Sequence, residues 1–180
     1  MTTTPTTTAL HARVARDHWA RLKSYFRSKV PEPDCYDLVQ QTLAELVKCD
    51  LAAVRHMKPY VMRVAHNVLT AYIDEHKAKT VAFDSDMHSV MSPQTSFSAR
   101  LDKRNRILNA LRSLPLAQQE AVELRLCEGL ELTEIAEIME RGLATVKRYI
   151  EAGTEQLRTS LRGIVPGDPA SAVTEAYRAG

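Results

Sequence analysis

Thr145, Lys147 and Arg148 stand close together in the stretch "LTEIAEIMERGLATVKRYI", residues 132–150. Their chemistry is recognition rather than bond-making. A guanidinium donates two parallel hydrogen bonds to a guanine edge, an ammonium holds a phosphate as a point charge, and a hydroxyl serves either. Arg141 precedes them and Glu151 follows one turn later. On a helix running from about Ala144 to Arg158, Val146, Ile150, Gly153 and Leu157 fall on one stripe. That leaves Thr145, Lys147, Arg148 and Glu151 on the outward face. In a helix-turn-helix the first turns of the second helix enter the major groove, so this is where base-reading side chains belong. A plain solvated helix face is the competing explanation of two adjacent basic residues.

Two further constellations suggest contacts of other kinds. In "KPYVMRVAHNVLTAYIDEHK", Asn67 is accompanied by Arg63, His66 and Lys77. An amide hydrogen-bonds an unpaired base edge, and neighbouring cations or rings hold the strand by its phosphates or by stacking. An interhelical hydrogen bond would also explain an asparagine in mid-helix, where it costs some propensity. In "PDCYDLVQQTLAELV", Asp34, Asp37, Gln40, Gln41 and Glu45 share one side, opposite the apolar arc of Leu38, Val39, Leu43, Leu46 and Val47. Such a polar side suits a protein partner or simply faces solvent. No nucleophile elbow, phosphate-cradling glycine loop, H-E-x-x-H motif or close carboxylate pair points to catalysis. Cys35, Cys49 and Cys127 lack C-x-x-C spacing and read as reduced thiols in apolar niches, so neither cofactor nor metal is expected.

The elements that must position these groups are helical. Glycine is scarce, alternating apolar patterns are missing, and periods near 3.6 recur from Leu10 to Lys79 and from Leu101 to Leu161. The fold class read here is all-α, with two small helical domains at 10–80 and 101–163. Between them, residues 81–100 are interrupted by Ser, Asp and Pro93 and read as a flexible linker. Residues 1–9 read as a disordered segment and 164–180 as a tail, in which "ASAVTEAY" suits one short appended helix. In the second domain, proline at Pro115 suits a first helical turn and Gly129 a helix end. Thr133 is placed to cap the next helix, on which Leu132, Ile135, Ala136 and Met139 share a face.

Charge narrows the function classes. The 180 residues hold 24 Lys plus Arg against 22 Asp plus Glu, so there is no global basic excess and any nucleic-acid contact must be local. Residues 10–80 carry 12 basic against 8 acidic side chains and residues 100–163 carry 11 against 10, which makes the first domain the more basic. No apolar run approaches the length of a membrane span, and "MTTTPTTTAL" has no signal-peptide pattern, so a soluble cytoplasmic protein without membrane insertion is expected.

Two motif sets, taken in order, resemble the extracytoplasmic-function sigma factors of bacteria. "LPLAQQEAVELRLCEGLELTEIAEIM" followed by "ATVKRYIEAGTEQLR" is similar to their C-terminal domain. "DCYDLVQQTLAELV" and "KPYVMRVAHNVLTAYIDEHK" resemble two helices of their N-terminal domain, and "VKRYI" and "RDHWARL" resemble the iron-uptake subgroup. The resemblance covers roughly residues 10–162. It implies a region 2-like domain of three or four helices and a region 4-like helix-turn-helix domain. It further implies no catalysis by the chain itself, binding to core RNA polymerase through Asp34, Asp37, Gln40, Gln41 and Glu45, and contact with promoter DNA at two elements. Arg63, His66, Asn67 and Lys77 would serve the minus-ten element; Arg141, Thr145, Lys147, Arg148 and Glu151 would serve the minus-thirty-five element. An anti-sigma factor is the family's usual partner.

The chain departs from the pattern in three places. The family commonly has carboxylates where Tyr36 and Gln41 stand, and each lost charge pair with a basic polymerase surface is worth about 1 kcal/mol or more. Added phosphate from a Ser/Thr kinase would restore that charge, with Thr42 and Ser28 the nearest hydroxyls. Thr42 falls within the apolar arc, however, and packing competes as its role. Where the family more often has arginine, His66 would attract phosphate weakly when neutral. The third departure is at the corner: many helix-turn-helix sequences have glycine four residues after the alanine that matches Ala136, but here Glu140 stands there and glycine is delayed to Gly142. The alternatives are a helix-turn-helix repressor or activator that never meets polymerase, or a sigma-like decoy that sequesters an anti-sigma factor.

Overall fold

The computed structural model describes residues 5–80, 99–164 and 168–178, except the side chains of 5–7, 77–80, 99–103 and 169. Every regular element among them is helical, and the chain divides into two units, Met1–His88 and Ser89–Gly180. Residues 81–98, most of the expected linker, lie outside the described residues.

The first unit holds α1 (Pro5–Arg27), α2 (Glu32–Val47) and α3 (Met57–Thr80), with a single 3-10 turn at Leu51–Ala53. Helix α1 starts inside the segment expected to be disordered. Pro31 and Pro33 stop α1 from running into α2, because proline removes the amide that a continuing helix would need. Glu32 and Asp34 in the first turn of α2 favour its positive end. Leu22, Tyr25 and Phe26 of α1, Leu38, Val39 and Leu46 of α2, and Val61, Met62 and Leu69 of α3 are all buried. Asp50 caps the 3-10 turn by accepting a hydrogen bond from the Ala52 amide at 3.1 Å.

The second unit begins with α4 (Ala99–Arg112) and α5 (Leu116–Val122), which continues through one wider π turn at Glu123–Cys127. Gly129, with φ of +65°, ends this run in the left-handed region that suits glycine. Helices α6 (Leu132–Ile138), α7 (Leu143–Ser160) and α8 (Pro169–Arg178) follow. The core joins Ile107, Leu111, Val122, Leu157 and Leu161 with Val173, Ala176 and Tyr177. The C-terminal segment read as a peripheral tail therefore supplies three core side chains. Polar contacts hold it as well: the Thr174 hydroxyl donates to the Leu126 carbonyl at 3.0 Å, and Arg178 donates to the Cys127 carbonyl at 3.1 Å. These two bonds take up the backbone oxygens of the last two residues of the π turn, where regular helical bonding is interrupted.

Candidate nucleic-acid interface

The geometry of α6, the corner and α7 decides where the basic side chains stand. Arg125 fixes the entrance, donating to the Leu130 carbonyl at 2.8 Å and meeting a Glu131 carboxylate oxygen at 3.2 Å. The N-cap of α6 is Glu131 and not Thr133. The Glu131 side chain accepts from the Glu134 amide, while the Glu134 carboxylate accepts from the Glu131 amide at 2.8 Å. This reciprocal pair satisfies two amides at once and leaves the Thr133 side chain exposed. Ile135, Ile138 and Met139 are buried, and Ala136 is half-buried.

At the corner, Glu140 has a φ of +51°, the one positive value among the described non-glycine residues. The Arg141 amide donates back to the Ala136 carbonyl at 3.0 Å, and the Met139 amide to Ile135 at 2.9 Å. That pattern closes a helix through a left-handed residue just beyond its cap. Glutamate thus adopts the backbone conformation for which glycine is the usual choice. Gly142, by contrast, has an ordinary extended conformation, φ −63° and ψ 145°, as N-cap of α7. The displaced glycine does not make the corner. A left-handed conformation costs an L residue about 1–2 kcal/mol, partly offset by the backbone entropy that glycine loses. Glu140→Gly is therefore expected to stabilise the second unit by about 0.5–1 kcal/mol, read as a rise in its urea midpoint without change of slope; an unchanged or lower midpoint would contradict the strain.

On α7, Val146, Gly153 and Leu157 are buried and Ile150 is half-buried, as the stripe requires. Gly153 marks a close crossing: a Cβ there would stand 2.7 Å from Val122 Cγ2 and 3.5 Å from the Gln118 carbonyl oxygen. The crossing holds α7 against α5 and so sets which side of α7 faces out. Lys147, Arg148 and Glu151 are exposed, Arg141 is exposed at the corner, and Thr145 is half-buried. Lys147 Nζ lies 3.8 Å from Glu151 Oε1, an open pair worth little in water.

In the first unit Arg63 and Asn67 are exposed on α3 and His66 is half-buried. A buried interhelical hydrogen bond is therefore not what keeps Asn67 in mid-helix. The side chain of Lys77 lies outside the described residues. Of the polar side of α2, Asp37, Gln40 and Gln41 are exposed. Glu45 is half-buried and pairs with Lys48 at 2.7 Å. Asp34 is tied inward, accepting a hydrogen bond from the Tyr72 hydroxyl of α3. Burial first, and then the Asp34 carboxylate, push the Tyr72 hydroxyl up to about 12.

Two expectations for α2 and the turn before it are corrected. Val47 does not join the apolar arc; it is 62% exposed at the end of the helix, beyond the packed turns. The hydroxyls considered for phosphate are buried: Thr42 donates to the Leu38 carbonyl and Ser28 to the Tyr25 carbonyl, each at 2.8 Å. Their positions favour packing and give no support to phosphorylation.

Comparison with known proteins converges on one group. The family model "Sigma-70, region 4" matches residues 104–157, the segment from α4 through most of α7. The ECF RNA polymerase sigma factor SigK of Mycobacterium sp. strain KMS and the RNA polymerase sigma factor SigK of strain MCS are each 34% identical over 61 residues. The matched segment is similar to region 4 of sigma factors. Each match spans 34% of this chain and 32% of the mycobacterial sigma factor, about a third of either. The likeness in fold extends further than the likeness in sequence. The sigma factor RpoE of Bartonella quintana, solved in complex with the anti-sigma factor NepR, superposes with a TM-score of 0.65 at 19% identity, covering 87% of this chain and 96% of that one. The matched segment contains both α6 and most of α7, the two helices on either side of the corner, and α8 lies beyond it. Among the described residues no helix is long and apolar enough to cross a membrane.

Proposed function

We propose that the chain is an alternative sigma factor that binds core RNA polymerase and directs it to promoters with a particular minus-thirty-five and minus-ten element. One observation carries the reading: α7 presents Lys147 and Arg148 outward behind a closed helix-turn-helix corner, in a chain whose fold matches a sigma factor over most of its length. Arg141, Thr145, Lys147, Arg148 and Glu151 then meet the minus-thirty-five duplex. Arg63, His66, Asn67 and Lys77 meet the minus-ten strand as it opens. The chemistry of RNA synthesis belongs to polymerase. The near-balanced charge fits weak promoter binding by the free chain, because few phosphate contacts release few counterions.

Asp37, Gln40 and Gln41 are the exposed members of the polymerase-facing side, with Glu45 half-buried and Asp34 bonded within the domain. An anti-sigma factor competing for this side is the expected regulator, by analogy with the Bartonella complex. The test is direct binding of fluorescently labelled chain to core polymerase. Asp37→Lys is expected to weaken binding by tenfold or more, since it puts a like charge against a basic surface, and Gln41→Glu to strengthen it several-fold. Tight binding to duplex DNA with no association with polymerase would instead identify a repressor or activator. Binding to an anti-sigma factor without transcription would identify a decoy.

A further inference from the structure

The helix-turn-helix ends in an apolar tip that its fold does not use. Leu143, the first residue of α7, is 48% exposed, and Ala144 beside it is also exposed. The buried stripe of α7 runs through Val146, Gly153 and Leu157. Arg141 is exposed just before the tip, and Lys147 and Arg148 follow Leu143 and Ala144 by four residues, on the same helical lines. Both basic residues are exposed, Lys147 with its ammonium 3.8 Å from Glu151 and Arg148 beside it, one turn along from the apolar pair. The result is a small exposed apolar surface at the start of α7, with Arg141 exposed just before it and Lys147 and Arg148 exposed one turn after it.

We infer that Leu143 and Ala144 read the 5-methyl group of thymine in the major groove of the minus-thirty-five element. The inference rests on the promoter-binding reading above and adds a base identity to it. The cations suit phosphates and guanine edges, but a leucine has no partner among phosphates, sugars or polar base edges. The thymine methyl is the one apolar group that base pairs present in the major groove, and apolar side chains recognise it by contact. Arg141, Lys147 and Arg148 set the charge that favours duplex DNA over an apolar protein surface as the occupant. An exposed leucine contributes little to folding, so its replacement separates recognition from stability.

The experiment starts from duplexes selected from a random library by the full chain bound to core RNA polymerase. Each thymine of the upstream element is then replaced by deoxyuridine, which removes only the methyl group. Binding is expected to weaken about fourfold at one or two of these positions, the worth of one buried methyl group. With Leu143→Ala that loss should disappear, whereas Leu116→Ala, at an exposed leucine that begins a different helix, α5, should retain it. Equal deoxyuridine effects with Leu143 and with Leu143→Ala, or no methyl effect at any thymine, would overturn the inference while leaving promoter binding intact. Failure to select any duplex would overturn the promoter reading and this inference with it.

Discussion

Gly153→Val is expected to destabilise the second unit by about 3 kcal/mol, the upper part of the range for overpacking a tight core. The first added carbon already falls 2.7 Å from Val122 Cγ2. Val122 is fully buried and stiff at χ1, so it cannot swing aside, and the added carbon also stands 3.5 Å from the Gln118 carbonyl oxygen. Relief must come from separating α5 and α7, which also turns the outward face of α7 away from its place. Gly153→Ala should do less harm, because alanine gains up to about 1 kcal/mol in helix propensity against a smaller clash. A double-mutant cycle isolates the cause. Val122→Ala alone leaves a cavity, yet combined with Gly153→Ala it makes room for the new methyl, so the pair should be more stable than the sum of its parts by about 1 kcal/mol or more. Additive effects would mean that the glycine is there for a reason other than this crossing.

Lys147→Ala and Arg148→Ala should separate two kinds of contact. Removing a phosphate-holding ammonium is expected to weaken binding of the polymerase complex about equally on all promoter variants and to lower the salt slope by about 0.9. Removing a base-reading guanidinium is expected to cost about 1–3 kcal/mol on the preferred sequence and to relax the choice at one base position. Glu151 modifies the first effect. Its carboxylate lies 3.8 Å from the Lys147 ammonium and is itself exposed on the same face. It offsets part of the attraction to phosphates, so Glu151→Gln should strengthen binding a few-fold without altering preference. If Lys147→Ala and Arg148→Ala act identically on every promoter variant, the assignment of roles is wrong.

Much of the scaffold is legible in the residues because burial follows helical periodicity. The stripe of Val146, Gly153 and Leu157 and the arc of Leu38, Val39 and Leu46 are inside. Periodicity shows a face but not where packing ends, which is why Val47 continues the arc in sequence and is nevertheless exposed. The C-terminal helix has the same kind of signal: Val173, Ala176 and Tyr177 at spacings of three and four. Its brevity hid the point that these three side chains complete a core begun seventy residues earlier at Ile107.

Caps and corners are harder to read, since several side chains compete for the same amides. Glu131 reaches the free amides of α6 although Thr133 is the better capping residue by type. At the corner, glycine in the wrong place suggests a helix that starts or tilts differently. The structure instead keeps a left-handed residue four positions after Ala136 and places glutamate in it. Backbone hydrogen bonds from Met139 and Arg141 outweigh the strain of one residue. The proposed contact surfaces can be read as residue types, but which of their groups are engaged inside the fold cannot. Asp34 looks like its neighbours Asp37 and Gln41 in sequence, yet its carboxylate is held by Tyr72, thirty-eight residues away.

The most direct measurement is run-off transcription with core RNA polymerase on a promoter chosen by selection. The chain is expected to start transcripts at one fixed site, with loss of that product on Asn67→Ala or Arg148→Ala while binding to core polymerase is retained. Tight duplex binding by the chain alone, with no transcript when polymerase is supplied, would contradict the account.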